Sequence, residues 1–416
     1  MRNTIFIFLC LLGWIGSQAQ SNHLVETFGN VYRQYIFETI KDFPAPKGYR
    51  PIYISHIGRH GSRYPVSKGY VRNGMDILLL GDSLGILTAD GKALLRAYIK
   101  MDSICSGQYG MLCERGIQEH KKIAERMYNR FSPLFSQSGR KRVNVSSTDL
   151  PRAIVSGANF CTALASLCPG ADFHFVAGPM YYNLLCNDTD SRISANNKAG
   201  ALESDRYMDE HFPYDTFYGR LFSNPQEMYA RLKTKRLLAE STFSNGTVAA
   251  YLGLPDILDR MSPKEYQEAS IAYTNKMYFN HCNGRLAGSW RVHFMDSLLA
   301  DVVSKADEAI TTNSNMLADL RFSHDTGMMP FFSLIGIEGY DKALDFDDSY
   351  KFWDSSALMC MATNLQMIFY ANKQNDILVK LLLNEKETTI PLLKHTIPHY
   401  YKWSELKKYF LSRIAQ

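Results

Sequence analysis

The chain has 416 residues, with 46% hydrophobic residues, a net charge of +5 and a pI near 8.6. That length allows one large or two smaller domains with a sizeable core. The composition excludes a disordered chain, and the mild basic balance, without a Lys/Arg block, argues against nucleic acid while suiting small anions.

Taken in chain order, Arg2, the apolar stretch Ile5–Ile15 and Ser17-Gln18-Ala19 read as an export signal spanning residues 1–19. They are a charged start, a short apolar core and a small-x-small cleavage site, too short to span a bilayer. The expectation is an exported protein, periplasmic or secreted, with an outer-surface or vesicle association left open. No transmembrane segment is expected after cleavage. Seven cysteines follow the signal, so export permits disulfides but at least one thiol stays free.

Apolar, β-branched runs predict strands at Pro51–Ile57, Arg142–Ser147, Asp172–Val176, Ala318–Ser323 and Ile377–Leu383. Helical spacing follows several of them, at Arg115–Phe131, Ile154–Leu167 and Asp325–Leu334. Strand-then-helix alternation predicts an α/β fold: a three-layer sandwich with a mainly parallel central sheet flanked by helices. Between about 178 and 300 the strand signal fades, and Tyr207–His211, Pro225–Ser241, Ser262–Tyr278 and Asn283–Lys305 read as helices and loops. Ser262-Pro263-Lys264-Glu265 is a helix start with its own cap. The expected organisation is an α/β core over 20–177 and 301–416, with a mostly helical cap inserted at 178–300. Lys402–Arg413 predicts a closing amphipathic helix.

Two short runs carry the chemistry. Arg59-His60-Gly61-Ser62-Arg63-Tyr64-Pro65 sets a histidine among arginines directly after a predicted strand. Neighbouring cations repel, but around a dianion their forked donors match phosphate oxygens. An imidazole held among them is placed to attack phosphorus. The second run, Ser323-His324-Asp325-Thr326, adds a further donor, His324, and a carboxyl group, Asp325, able to protonate a leaving alcohol. The bland readings are a hydrogen-bonded core histidine for His60, a surface arginine for Arg152 and a helix N-cap for Asp325. The arginines flanking His60 favour catalysis, and a cap role for Asp325 is compatible with proton donation. His56 and His60 share zincin spacing, but Ile57-Gly58-Arg59 between them offers no glutamate and places a cation where a metal would sit. No metal and no cofactor is expected.

The first run resembles the RHGxRxP signature of the histidine acid phosphatases, the second branch of the histidine phosphatase superfamily. Ser323-His324-Asp325 resembles that family's HD dipeptide. Ser146–Ala153 resembles the segment carrying its third phosphate-binding arginine, here Arg152, and Leu112–Gly116 resembles its LTxxG turn. In particular, RHGSRYP with Lys68, Leu382–Lys386 and Met329–Leu334 are similar to the multiple inositol polyphosphate phosphatases and phytase-like members. One departure stands out: that subfamily carries HAE, whereas here the triplet is His324-Asp325-Thr326, which moves the proton donor to Asp325.

The resemblance implies a phosphomonoesterase working through a phosphohistidine. His60 and Asp325 would be catalytic, and Arg59, Arg63, Arg152 and His324 would bind the phosphoryl group. Lys68, Arg72, Arg192 and Lys198 are candidates for holding further phosphates, and each is equally an ordinary surface charge. The implied partners are small-molecule phosphate esters, inositol polyphosphates first. The alternatives are a broad acid or sugar phosphatase, and a non-enzymatic binder of polyanions.

Overall fold

The computed structural model describes residues 23–137, 141–285, 289–311, 314–395 and 397–414. The export signal read from residues 1–19 lies outside them. Central to the structure is one sheet of eight strands: β1 (Arg50–Arg59), β2 (Arg142–Ser147), β3 (Asp172–Ala177), β4 (Met316–Ser323), β5 (Asn364–Ala371), β6 (Ile377–Leu383), β7 (Lys386–Thr388) and β8 (Tyr401–Lys402). Their order is β3-β2-β4-β1-β5-β6-β7, with β8 paired to β6. The strands β3, β2, β4 and β1 run parallel, while β5, β6 and β7 join antiparallel. The sheet is therefore mixed. Parallel neighbours need a crossover, which the helices provide; β6 and β7 need only a tight turn. That turn is Asn384-Glu385, both with positive φ (51° and 66°), as a two-residue hairpin demands. Strand β5, which the sequence reading did not single out, is buried along nearly all its length between β1 and β6.

Helices cover both faces. The ones that build the site are α1 (Lys68–Ser83), α2 (Ala89–Cys105), α3 (Glu114–Arg130), α4 (Pro151–Leu167), α5 (Ser191–His211), α6 (Arg236–Tyr251), α7 (Pro263–His281), α8 (Asp296–Ala309) and α9 (Asp325–Ile335). Between β3 and β4 the described residues hold helices and turns and no named strand. Helix α7 opens with the capping box anticipated at Ser262: its hydroxyl accepts from the Glu265 backbone, and the Glu265 carboxylate returns the bond. One buried cluster lies on the α3–α4 side of the sheet, around Ile54, Val143, Phe160 and Phe322. A larger one runs from the other face, around Tyr53 and Phe369, into the helices of 191–281.

Every cysteine among the described residues is a free thiol, all buried except the half-buried Cys168. No helix among the described residues is long and apolar enough to cross a membrane. Three asparagines that each stand two residues before a serine or threonine are engaged internally: Asn144 donates to Asp319, Asn187 to the Phe294 carbonyl and Asn245 to the Tyr70 carbonyl.

Candidate active site

The register of the central strands decides which residues meet. Arg59, the last residue of β1, pairs with Ser323, the last of β4, and the His60 amide donates to the Ser323 carbonyl. His60 and His324 thus leave adjacent strand ends side by side, their ring centroids 5.4 Å apart. On the far side of β4, Ser147 of β2 pairs with Phe322, which brings Thr148 within 2.8 Å of His324 Nε2. The site lies at the carboxyl ends of the parallel strands, where open α/β sheets bind ligands.

The orientation of His60 follows from one bond. Its Nδ1 lies 2.9 Å from the Gly61 carbonyl, which can only accept, so Nδ1 carries the proton and Nε2 keeps its lone pair. Burial, then the Arg152 and Arg59 charges, hold this ring well below the usual histidine range. It stays neutral and nucleophilic in acid.

The loop that carries it is packed backbone to backbone. A Cβ on Gly61 would come within 2.7 Å of the Gly116 Cα and carbonyl oxygen, and one on Gly116 within 2.2 Å of the Ser62 carbonyl. Glycine at 61 therefore permits contact with α3. Beneath the loop, buried Glu119 accepts from the Ser62 amide, the Ser62 hydroxyl and the Tyr35 amide. The Ser156 hydroxyl accepts from the Gly61 amide and donates to the Arg152 carbonyl, tying the loop to the start of α4.

Arg59 is fully buried. Its Nη1 donates to the carbonyls of Val31 and Met359, and its Nη2 to Asp325 Oδ2 at 2.5 Å. The Nε atoms of Arg59, Arg63 and Arg152 and the Nδ1 of His324 are buried without a protein partner. Buried donors left unpaired are costly. Three guanidiniums and an imidazole left so around His60 form a cage for an oxyanion. Burial, followed by the nearby Arg63 charge, pulls Arg152 down to about 10. Burial, followed by the Arg152 charge, pulls His324 down to about 3, so in the free site it is a neutral donor and not a cation.

Asp325 opens α9. It is the first helical residue and not the N-cap, which is His324; its Oδ1 accepts from the Thr326 amide at 2.9 Å while its Oδ2 holds Arg59. Burial pushes its carboxyl up, but Arg59, Arg63, His281 and His324 together outweigh that and hold it at about 2. Thr326, at the subfamily's glutamate position, turns its hydroxyl to Cys186 Sγ at 3.2 Å.

Helix α9 contains Pro330, four residues after Thr326. Proline has no N–H, so the Thr326 carbonyl loses its helical donor. Arg291, fully buried in the 3₁₀ turn Ser289–Met295, fills the gap: its Nη2 donates to that carbonyl at 2.9 Å.

The outer candidates are spread along the helices. Lys68 and Lys198 are exposed on α1 and α5. Arg72 pairs with Asp76 and Asp102, each at 3.5 Å. Arg192 pairs with Asp190 at 3.0 Å and lies over the rings of Trp290 and Phe294. His56, on the same face of β1, packs against Phe160 and Phe322. Sequence reasoning missed Glu119, Thr148, His281 and Arg291. Glu119 had a signal, as a charge on the buried stripe of α3 with Gly116 and Ile123; Thr148 lay inside the Ser146–Ala153 segment without being singled out, and His281 and Arg291 sit far in sequence from the first run.

Residues 54–208 match the family profile of the histidine phosphatase superfamily (branch 2). Over that stretch the chain is similar to that superfamily. Its fold is similar to that of the Bifidobacterium longum multiple inositol polyphosphate phosphatase, solved in complex with inositol hexasulfate. The TM-score is 0.73 at 19% identity, over 92% of this chain and 97% of that one. The D. castellii phytase superposes with a TM-score of 0.69 at 14% identity, over 94% and 86% of the two chains. The Hafnia alvei phytase gives 0.55 at 11% identity, over 89% and 98%. No curated protein is significantly similar in sequence.

Proposed function

We propose that this protein is a phosphomonoester hydrolase that turns over through a phosphohistidine at His60. The observation that carries this reading is the His60 ring itself. Its Nδ1–H is fixed to the Gly61 carbonyl and its bare Nε2 stands among buried guanidiniums with unpaired donors. In the proposed cycle Arg59, Arg63, Arg152 and His324 hold the phosphoryl oxygens and absorb their developing charge. His60 Nε2 attacks phosphorus in line, the ester P–O bond breaks, and Asp325 gives its proton to the departing alkoxide. Water then attacks phosphorus, Asp325 takes the water's proton, the P–N bond breaks, and inorganic phosphate leaves.

Asp325 is ionised in the free site, because four cations or polar rings surround it. A bound phosphoryl group offsets that field, so the proton used on the leaving group enters with the ester monoanion. Inositol polyphosphates are the first substrate reading, supported by the motif resemblance and by the fold shared with phosphatases of that class. An acid or sugar phosphatase is the second, favoured by Thr326 where the subfamily has glutamate. Residues 1–19 are read as an export signal, so native protein should begin near Gln20 and lie outside the cytoplasm. The test of the reaction is release of phosphate from p-nitrophenyl phosphate, with acid-labile phosphate trapped on wild type and not on His60→Ala. No trapped phosphate and no release would refute it.

A further inference from the structure

Arg59 is aimed by two carbonyls, and one asparagine braces the segments that carry both. A guanidinium is a rigid planar fork, so fixing the two N–H bonds of one Nη fixes the directions of the other three. Both donors of Arg59 Nη1 are taken, by the Val31 carbonyl at 2.5 Å and the Met359 carbonyl at 2.9 Å. What remains is Nη2, on Asp325, and the unpartnered Nε. Those are the groups that a phosphoryl oxygen would meet. Their direction is therefore set from behind, by two backbone segments from opposite ends of the chain.

Asn30 joins these segments. It starts the 3₁₀ turn Asn30–Tyr32 and is wholly buried, with φ at 58°, a left-handed backbone that asparagine tolerates better than most side chains. Its Oδ1 accepts from the Val31 amide at 2.6 Å, which fixes the residue whose carbonyl holds Arg59. Its own amide donates to the Ser356 hydroxyl at 2.8 Å. Ser356 belongs to the helical turn Ser355–Leu358, and the Met359 amide closes that turn on the Ser355 carbonyl at 3.0 Å. The Met361 amide adds a second tie, to the Arg33 carbonyl at 2.8 Å. Asn30 Nδ2 reaches α7, donating to the Thr274 hydroxyl at 2.6 Å and the Ser270 carbonyl at 3.1 Å. Thr274 Oγ1 is in turn 2.9 Å from Ser355 Oγ. The bonds that Asn30 makes are buried, where a lost partner costs most. A core asparagine needs partners for its own amide; here those partners are also the segments that orient Arg59.

We propose that Asn30 is a positioning residue for phosphate binding: it locks the Val31 and Met359 carbonyls in place, ties both to α7, and so holds the Arg59 fork where it meets a phosphoryl oxygen. The proposal rests on the reading of Arg59 as a phosphate ligand in the phosphohistidine cycle.

A double-mutant cycle on the full-length mature enzyme tests it, read as binding of inorganic phosphate by isothermal titration. Asn30→Gly deletes the side chain and keeps the left-handed turn accessible. It should weaken phosphate binding by about tenfold, the size of one misdirected charge-assisted bond. In an Arg59→Met background the same change should weaken binding by less than about twofold, because the fork it aims is gone. Tm should fall in both backgrounds. Should Asn30→Gly fail to fold, Thr274→Val cuts the α7 end of the same chain of bonds. It should weaken binding by about threefold, the size of one neutral hydrogen bond, and again only where Arg59 is present. Equal weakening with and without Arg59 would mean that Asn30 only supports the fold. That result, or an Asn30→Gly enzyme that binds phosphate like wild type, overturns the positioning role. With p-nitrophenyl phosphate hydrolysed and phosphate trapped on wild-type His60, it leaves the phosphohistidine reading intact. No phosphate binding by wild type overturns both.

Discussion

Arg59 and Asp325 form a buried pair across the ends of β1 and β4, with Nη2 and Oδ2 2.5 Å apart and the guanidinium wholly withdrawn from solvent. The proposed acid is thus parked as an anion on one of the arginines that would bind phosphate. Binding must loosen this pair, because the same guanidinium then faces the substrate's charge as well.

The pair sets the pH dependence. Asp325, at about 2, and His324, at about 3, do not change charge in the free enzyme above about pH 4, and His60 stays neutral there. A depressed carboxyl is ionised above its pKa and a depressed imidazole is neutral above its own, so both limbs lie on the acid side. The fall in kcat/KM at higher pH should come from the ester's own second ionisation, near about 6. A pH profile with esters of different second pKa checks this: the basic limb should follow the ester. A limb fixed to the enzyme would mean that a protein acid supplies the proton.

Asp325→Asn removes that proton donor and keeps the shape. Inositol or sugar phosphates, whose alkoxides leave poorly, should lose on the order of 10² or more in kcat, and p-nitrophenyl phosphate much less. Thr326→Ala should leave the chemical step nearly unchanged. Equal losses on both esters in Asp325→Asn would assign the aspartate to positioning alone.

His60→Ala should lower kcat by on the order of 10³ or more while leaving the oxyanion cage in place. Isothermal titration with inorganic phosphate should still detect binding to the variant. Retention of a hundredth of the wild-type rate, about 10⁻², would remove His60 from the nucleophile role.

Arg291 holds the start of α9 through the Thr326 carbonyl that Pro330 leaves without a donor. Arg291→Met should slow poor leaving groups by on the order of tenfold and spare p-nitrophenyl phosphate, as a shifted Asp325 would. Adding Pro330→Ala restores an N–H four residues on and should recover part of the loss. A uniform loss on both esters that Pro330→Ala does not relieve would mean that Arg291 only supports the fold.

Gly116→Ala tests the packing beneath the nucleophile. Its Cβ would meet the Ser62 carbonyl at 2.2 Å, backbone against helix, so neither side can rotate away. The expected cost is about 1–3 kcal/mol of stability, read as a lower Tm, with a drop in kcat as the His60 loop shifts. An unchanged Tm would show that α3 can slide.

Much of this was legible in the sequence, because it is local. The strand β2 and the starts of α4 and α9 are set by β-branched runs, by Pro151 at a first helical turn and by a histidine–aspartate step after an apolar strand. The arginines flanking His60 announced an anion because like charges do not cluster without one. The C-terminal half of the sheet was less visible: Asn364–Ala371 is buried on both faces and shows no alternation to separate it from a helix core. What only the tertiary structure decided are relations between distant residues. The β1–β4 register sets His60 beside His324; Gly61 meets Gly116; Glu119 reaches back to Ser62; Arg291 repairs what Pro330 removes; and Asp325 is ionised by neighbours drawn from three separate segments. A motif states which groups are present, but their protonation and aim depend on burial and on charges that arrive only when the chain closes.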